Sequence, residues 1–337
     1  MVPISVLDLS FVTTATPGAA AIRETVELAQ AVERLGYRRI WVAEHHNLPS
    51  VASGAPEIMI GAIAAATSRI RVGSGGVMLP NHAPLMVAER FKVLEALYPD
   101  RIDLGIGRAP GTDPRTSMAL RYRSEMRADD DFLDRFQELL AWKTGEWPEG
   151  HPFRAIRVMP EDAPVPPIWL LGSSDYSAEL AGRMGLGFAF AHHFASLDAG
   201  VAVGRYRELF QPSRWLERPH AILTVAAISA DTEAERWASS ADYGHVRRAR
   251  GDYGPLVSPE EALARPWTPE EEALRRANRA RLFVGTPDLV RERLTGLASR
   301  VGADELMIMS AMFDHAARLR SYELLARAFE LPRSIAA

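Results

Sequence analysis

Short apolar runs alternate with longer amphipathic segments along the whole chain. The apolar runs predict eight strands, at residues 4–10, 39–43, 71–79, 101–106, 168–171, 187–191, 220–228 and 305–309. Between these runs, apolar residues recur at spacings of three and four, the period of an amphipathic helix. The first such stripe consists of Ile22, Val26, Ala29, Val32 and Leu35. Strands that alternate with amphipathic helices indicate βα units and a parallel sheet.

The number of repeats separates two parallel α/β architectures. Eight strand–helix repeats within 337 residues fit a single (β/α)8 TIM-barrel domain over residues 1–337. An open, doubly wound sheet usually has fewer strands and a glycine-rich turn after the first of them. The first predicted strand is followed by Phe11-Val12-Thr13-Thr14, without a GxGxxG pattern. The sequence therefore predicts the barrel.

Residues 241–283, after the seventh predicted strand, are too many for an ordinary connection and are rich in Arg, Glu and Pro. Ser258 and Thr268 are each followed by Pro-Glu-Glu, which has the spacing of a capping box, so we expect helices to begin there. Long loops at the carboxyl ends of barrel strands build and cover active sites. We interpret the segment as an inserted lid, and a surface excursion without a catalytic role is the alternative.

Composition narrows the possible chemistry. The absence of cysteine excludes disulfides, thiolate nucleophiles, iron–sulfur ligation and thiolate zinc sites. With 39 basic and 43 acidic residues, the net charge of -4 provides no positive field for nucleic acid or an anionic membrane. No apolar run approaches the ~20 residues that cross a bilayer, and the amino terminus lacks a secretory signal pattern. We therefore expect a cytoplasmic protein.

Polar residues follow the second predicted strand, where side chains of a barrel point into the mouth that holds the active site. The tripeptide there is Glu44-His45-His46. An imidazole with a pKa near ~6.5 can transfer protons or ligate a metal, and a neighbouring carboxylate can orient it. The alternative is that both histidines only cap the end of the strand.

Glycines and an arginine mark the next two strands. Gly73-Ser74-Gly75-Gly76 interrupts the third strand. Glycine weakens a strand, so this run indicates either close approach of a ligand to the backbone or a bulge that helps close the barrel. Arg108 follows the fourth strand among small residues. Its guanidinium is suited to a phosphate or carboxylate, and a structural ion pair is the alternative.

The fifth predicted strand leads into a turn, residues 172–177, that reads Gly-Ser-Ser-Asp-Tyr-Ser before a helix. Hydroxyl groups and free amides at a helix amino terminus bind anions, so this turn is a candidate phosphate site. Simple capping of the helix by Ser174 or Asp175 is the alternative.

A second histidine pair, His192-His193, follows the sixth predicted strand. Histidines from the second and sixth strands could face each other across the barrel mouth. A metal-dependent hydrolase that uses both pairs, with His45 and His46, is therefore the main competitor from another class. Against it, no His-x-His lies on the first strand, and no lysine is placed to bridge two metals.

Four segments together resemble the luciferase-like flavin monooxygenase family: residues 43–46, 72–80, 104–108 and the turn at 172–174. They occur in the family's order and cover nearly the whole chain. The resemblance implies FMN as the cofactor. In the luciferase α-chain the glycine pair is alanine, and the cysteine near its flavin has no counterpart here, so light emission is not implied.

The resemblance also implies roles for single residues. Gly75 and Gly76 match a pair that stacks on the isoalloxazine ring and that is joined in relatives by a non-prolyl cis peptide. His192 falls near a position beside the flavin, and His193 takes its place if the alignment slips by one residue. The residues that match cofactor-binding elements around the phosphate are Arg108, Gly172, Ser173, Ser174, Tyr176 and Ser177.

The implied reaction is a monooxygenation. Reduced FMN, delivered by a separate flavin reductase, would react with O2 to give a flavin C4a-peroxide that oxidises a small organic substrate. His45 would act as general acid or base, Glu44 would orient polar groups, and the lid would exclude water. A homodimer is expected from the family. Two further alternatives remain, an F420-dependent hydride transfer on the same barrel and a non-catalytic flavin-binding protein.

Overall fold

The computed structural model describes residues 2–121 and 131–332. Eight parallel strands form a closed barrel, in which the last strand pairs with both the first and the seventh. These strands are β1 Ile4–Asp8, β2 Arg39–Val42, β3 Arg71–Ser74, β5 Ile102–Gly107, β6 Ile168–Gly172, β7 Gly187–Phe190, β8 Ala221–Ser229 and β10 Glu305–Met309. The eight predicted strands and the (β/α)8 barrel are confirmed.

Two short strands lie outside the ring of eight. The predicted third strand breaks at its glycines, because β3 ends at Ser74 and a separate strand β4, Val77–Met78, pairs with β5. A 3-10 turn, Leu79–Asn81, follows it. Strand β9, Leu282–Gly285, pairs with β8 and was not predicted. The first two residues of β9 lie within residues 241–283, the segment that we interpreted as a lid from the sequence.

Helices surround the barrel and follow the strands in the alternation that the sequence predicts. They are α1 Gly18–Arg34, α2 Pro56–Ala66, α3 Pro84–Leu97, α4 Pro114–Leu120, α5 Phe132–Thr144, α6 Asp175–Arg183, α7 Ala199–Leu209, α8 Ala234–Ala249, α9 Pro259–Leu263, α10 Pro269–Arg279, α11 Pro287–Val301 and α12 His315–Ala328. Among the described residues, no helix is long and apolar enough to cross a membrane.

The buried face of α1 is rotated relative to the predicted stripe. Ala29 and Val32 are buried as predicted, but Ile22 is exposed and Thr25 is completely buried. The Thr25 hydroxyl donates a hydrogen bond to the carboxylate of Asp8, at the end of β1, over 2.5 Å. A polar residue can occupy this face because Asp8 satisfies its hydroxyl.

A buried ionic cluster lies at the amino-terminal end of the barrel. Arg39, at the start of β2, donates from Nε to Glu305 Oε1 over 2.8 Å and from a terminal nitrogen to Asp103 Oδ2 over 2.7 Å. Its guanidinium also lies 4.8 Å from the ring centroid of Trp169. Burial opposes ionisation of Glu305, but His220 and Arg39 nearby hold its pKa below the usual value. The cluster therefore joins β2, β5, β6 and β10.

The segment after β8 contains most of α8, helices α9 and α10, and the start of β9. Thr268 and Glu271 form a reciprocal capping box, and the Ser258 side chain accepts from the amide of Glu261, so both predicted helix starts are confirmed. Between α8 and α9, residues 250–257 form a strap. Its Leu256 carbonyl accepts from the Thr14 amide over 2.8 Å. The strap thus joins α8 to the loop after β1.

The Arg39 cluster generates a stability prediction. Replacing Arg39 by Met leaves Glu305 buried without its two hydrogen bonds from this cation, whereas Asp103 keeps its ion pair with Arg71. We therefore expect the free energy of unfolding to fall by about 3 kcal/mol. Urea denaturation followed by circular dichroism measures the change. The control is Arg157→Met, which removes an exposed ion pair with Glu161 and should cost less than about 0.5 kcal/mol. Equal stability of the two variants would contradict a structural role for the cluster.

Candidate active site

A cavity of about 670 Å³ lies at the carboxyl ends of the barrel strands. Residues that follow β2, β5, β6 and β7 contribute to its wall, together with the segment after β8. Most of the wall is apolar. Its volume falls within the ~300–1,000 Å³ that small-molecule sites usually have. The cavity stands where the sequence predicted a barrel-mouth site.

The glycine pair after β3 forms a stretch of bare wall. Gly75 and Gly76 both line the cavity, and the peptide bond between them is cis, as the family resemblance implies. A Cβ on Gly76 would lie 2.9 Å from the carbonyl oxygen of Gly105, and a Cβ on Gly75 would lie 2.7 Å from Leu7 Cδ1. Neither position has room for a side chain. Packing therefore requires glycine at both positions, and their backbone forms part of the cavity wall.

His45 lies in the cavity wall just after β2. Its amide donates to the carbonyl oxygen of Ser53 over 2.9 Å, which fixes the backbone. Burial lowers the pKa of His45, although the negative charge of Glu44 opposes the shift. The ring nitrogen Nδ1 is enclosed and unpaired, and Nε2 makes no hydrogen bond to any described residue. The imidazole is therefore neutral near pH 7 and free to interact with a ligand.

Glu44 is completely buried behind the cavity wall and does not line the cavity. Its carboxylate accepts hydrogen bonds from His46 Nε2 over 2.8 Å, the Met78 amide over 2.8 Å and His82 Nε2 over 3.0 Å. Burial alone would raise the pKa of Glu44, but these hydrogen bonds lower it to about 2. The carboxylate joins the loops after β2 and β4. This geometry gives Glu44 a positioning role and no contact with reacting atoms in the cavity.

Arg108 lies at the cavity wall after β5. Its guanidinium carbon is 4.5 Å from the ring centroid of Tyr176, in the first turn of α6. No carboxylate among the described residues pairs with Arg108, so the ion-pair alternative is not observed there. The contact with Tyr176 holds the guanidinium beside the helix terminus without neutralising its charge.

The end of β6, the turn after it and the first turn of α6 contribute Gly172, Ser173, Ser174 and Ser177 to the cavity wall. The Ser174 side chain makes no capping hydrogen bond, whereas Asp175 accepts from the amide of Tyr176 over 2.9 Å. The Ser177 hydroxyl donates to the Ser174 carbonyl oxygen over 2.9 Å. A Cβ on Gly172 would lie 2.0 Å from Ser177 Oγ, so this close approach requires glycine. The amino terminus of α6 is open to the cavity and suits an anion.

The histidine pair after β7 divides between two environments. His193 lines the cavity, and His192 does not. The His192 amide donates to the Phe190 carbonyl oxygen over 3.0 Å, which turns the chain so that His193 faces inward. Burial lowers the pKa of His193 to about 4. The structure therefore brings His193 to the cavity wall, the residue that takes the place of His192 if the alignment slips by one.

The four histidines of the metal alternative do not meet at one point: His45 and His193 line the cavity, and the other two do not. His46 points to Glu44, and neither His46 nor His192 lines the cavity. Within residues 2–121 and 131–332, no group of three or more His, Cys, Asp and Glu side chains is arranged to hold a metal ion. The ligand set on which the hydrolase alternative depended therefore does not form.

The sequence prediction named no site residue in the lid segment, but several of its polar side chains line the cavity: His245, Arg248, Tyr253, Asn278 and Arg281. Helix α8 places His245 and Arg248 nearly one turn apart on the same face. The signal was present in the sequence as a basic stretch, residues 245–250, inside a segment already interpreted as a lid. Its direction toward the cavity could not be read from the sequence.

The fold and the cavity define a (β/α)8-barrel enzyme with its site at the carboxyl ends of the strands. The family model for luciferase-like monooxygenase matches residues 2–305. The chain belongs to the luciferase-like monooxygenase family, as the resemblance predicts. Its monooxygenase relatives indicate an oxidoreductase.

Three relatives that are more than 30% identical to this chain match nearly its whole length. The luciferase-like monooxygenase of Escherichia coli K12 is 42% identical over 326 residues, 96% of each chain. The N-acetyl-S-alkylcysteine monooxygenase of Bacillus subtilis strain 168 is 33% identical over 331 residues, 97% of this chain and 98% of that one. The crystal structure of apo-MsnO8 superposes with a TM-score of 0.89. Its sequence is 41% identical, and the match covers 99% of this chain and 100% of the MsnO8 chain.

Two more distant solved structures share the fold. The oxygenating constituent of 3,6-diketocamphane monooxygenase from Pseudomonas putida, in complex with FMN, has a TM-score of 0.70 at 18% identity and covers 97% of both chains. An F420-dependent secondary alcohol dehydrogenase has a TM-score of 0.68 at 13% identity, over 97% of this chain and 98% of that one. At these identities the two structures show that the fold is shared.

The glycine wall generates a prediction about packing. In Gly76→Ala the new methyl group meets the Gly105 carbonyl oxygen, so we expect a loss of stability of about 1–3 kcal/mol. The control Gly204→Ala lies in α7, where no described atom comes within 4 Å of the new Cβ, and it should leave stability unchanged or raise it by up to about 1 kcal/mol. Thermal unfolding measures both variants. Similar melting temperatures would show that the wall is not tightly packed.

Proposed function

We propose that this protein is a flavin-dependent monooxygenase that binds reduced FMN and uses O2 to oxidise a small organic substrate. One observation carries the proposal: the unpaired imidazole of His45 shares a cavity with the bare wall of Gly75 and Gly76. A flavin ring against that wall would have a neutral, unpaired proton carrier in the same cavity. Membership of the monooxygenase family supports the same function.

The residues present fit FMN at both of its ends. Ser173, Ser174 and the open terminus of α6 offer hydroxyl groups and amides to a phosphate, and Arg108 offers a guanidinium without a competing carboxylate. Gly75 and Gly76 offer backbone to the ring system. The unpaired ring of His45 and the unneutralised charge of Arg108 are two groups that such a ligand would satisfy.

Each protein group has a distinct task in this proposal. Bound reduced FMN supplies the activation of oxygen. His45 accepts or holds a proton at Nε2, the ring nitrogen that the protein does not enclose, and its lowered pKa keeps it neutral at pH 7. Glu44 positions the loops behind the wall. The strap at residues 250–257 restricts the entry of water, which is the lid function expected for this segment.

Two protein partners complete the proposal. A separate flavin reductase delivers reduced FMN, as the family resemblance implies. The second partner is another copy of the chain, because four apolar side chains stand exposed on neighbouring helices: Ile58 of α2 and Met86, Val93 and Leu97 of α3. An ion pair of 2.7 Å between Glu57 and Arg90 holds these two helices side by side. Exposed apolar patches of this kind are typical of subunit interfaces.

The dimer is tested by sedimentation velocity at micromolar concentration. We expect the wild-type chain to sediment as a dimer and Leu97→Glu to sediment as a monomer, because a charge would be buried in the interface. Leu263→Glu changes an equally exposed leucine on α9 and should leave the dimer intact. A monomeric wild-type protein would contradict this part of the proposal.

The cofactor is tested by titration of the full chain with FMN, reduced FMN and F420. We expect reduced FMN to bind, and Arg108→Gln to weaken its binding on the order of 10- to 100-fold through loss of a charged hydrogen-bond donor. The control Arg115→Gln changes an exposed arginine in α4 and should bind like the wild type. Stopped-flow mixing of the reduced complex with O2 should then give a flavin spectrum distinct from both reduced and oxidised FMN.

Other results would replace the proposal with one of its alternatives. Binding of F420 alone moves the assignment to hydride transfer. Binding of flavin without any effect on the reaction of reduced FMN with O2 favours a flavin-binding protein. Binding of none of the three leaves the monooxygenase function without support.

The role of His45 has its own pH-dependent test. We expect His45→Gln to keep reduced FMN affinity within about threefold and to lower oxygenation about 100-fold or more, as loss of general acid–base catalysis does. Because burial lowers the pKa of His45, the imidazole becomes protonated only below the usual ~6.5. Wild-type activity should therefore decline as the pH falls below ~6.5, and the variant should lose this decline. An unchanged pH profile in the variant would exclude His45 as the titrating group.

A further inference from the structure

The charged groups that line the cavity are of one sign. They are Arg108, Arg248 and Arg281, and no aspartate or glutamate among the described residues lines the cavity. The proposed function uses only Arg108, which binds the flavin phosphate. The other two arginines belong to the segment after β8 and have no task in that proposal.

Arg248 differs from the arginines on either side of it. Arg247 makes hydrogen bonds of 2.6 and 2.9 Å with the carboxylate of Asp252, and Arg250 pairs with Glu271 over 2.6 Å. The Arg248 guanidinium makes no hydrogen bond or ion pair with the residues of the described chain. Arg248 is exposed, and it lines the cavity. Its charge is therefore open to an anionic ligand and meets no competing carboxylate in the described part of the cavity wall.

Neighbouring groups show that this part of the cavity is positively charged. Burial lowers the pKa of His245, the charges of Arg248 and Arg281 lower it further, and Asp242 opposes the shift. Arg281 donates one bond of 2.6 Å to the Ala195 carbonyl oxygen, which holds its side chain at the cavity without neutralising it.

This second basic region is separate from the first. Arg108 follows β5 and contacts α6, whereas Arg248 lies on α8 after β8, and β6 and β7 stand between those two strands in the barrel. The strap, which follows Arg248, is attached to the loop after β2. The Ser50 amide donates a hydrogen bond of 3.0 Å to the Tyr253 carbonyl oxygen. Apolar side chains line the cavity nearby: Leu9, Phe11, Leu48, Val51, Leu256 and Met309.

We propose that the substrate of this enzyme is an amphiphilic anion whose carboxylate binds Arg248 and Arg281 and whose apolar part lies against the side chains under the strap. A carboxylate accepts two parallel hydrogen bonds from a guanidinium, and its charge compensates a cation that the protein leaves unpaired. The inference rests on the proposed function, which assigns the Arg108 end of the cavity to FMN. The Arg248 end then selects the substrate by charge, and the apolar wall selects it by size.

The test compares a carboxylate with a neutral molecule of the same shape. Octanoate and octanamide are titrated into the FMN-loaded full chain and followed by calorimetry. We expect the wild type to bind octanoate on the order of tenfold more tightly than octanamide, the effect of hydrogen bonds to a charged group. Arg248→Gln should reduce this preference to within about threefold, and Arg281→Gln should reduce it in part. Arg250→Gln, two residues away and outside the cavity wall, should keep the preference.

The variants separate this inference from the proposed function. Arg248→Gln should leave the affinity for FMN unchanged, because Arg108 and α6 hold the phosphate. A variant that loses FMN instead would assign Arg248 to the flavin and overturn the inference. So would a wild type without preference for octanoate, or an Arg248 variant that retains it. If the chain does not bind FMN, the proposed function fails, and the same comparison in flavin-free protein still decides whether the carboxylate site exists.

Discussion

The closure of the barrel depends on a buried cation at its amino-terminal end. Arg39 makes ion pairs with Asp103 and Glu305, which belong to strands on either side of β2 but not adjacent to each other. Each carboxylate is held in one position by a second donor, Ser5 for Glu305 and Trp41 for Asp103. Buried charges are tolerated when they are paired in this way. The fixed register brings the carboxyl ends of all eight strands around one cavity.

At the carboxyl ends, a second buried charge shapes the site without entering it. Glu44 accepts hydrogen bonds from the backbone of Met78 and from His46 and His82 behind the wall. Its neighbour in sequence, His45, receives no such partner and lines the cavity. One residue of the pair positions the loops, and the other keeps its ring available. This division of tasks follows from the alternation of side-chain directions along an extended chain.

The cavity is divided by charge and by chain segment. The end of the cavity that suits a phosphate is formed by Arg108 and the turn before α6, which are parts of the regular barrel. Its other basic end comes from Arg248 and Arg281, which belong to the segment between β8 and α11. In the proposed function the regular barrel binds the cofactor. Substitutions in the segment after β8 can then change the substrate preference without disturbing cofactor binding. This separation is a common property of barrel enzymes, whose loops vary on a constant scaffold.

The sequence by itself determined the barrel, its eight strands and the strand ends that carry the site, because hydrophobic periodicity reports local structure directly. It also indicated the glycine wall, Arg108 and the turn at residues 172–177. Only the tertiary structure decided that Glu44 lies behind the wall, that His193 and not His192 lines the cavity, and that Arg248 faces the cavity. These facts depend on how a turn directs one side chain and on contacts between residues far apart in sequence. Neither leaves a periodic pattern in the chain.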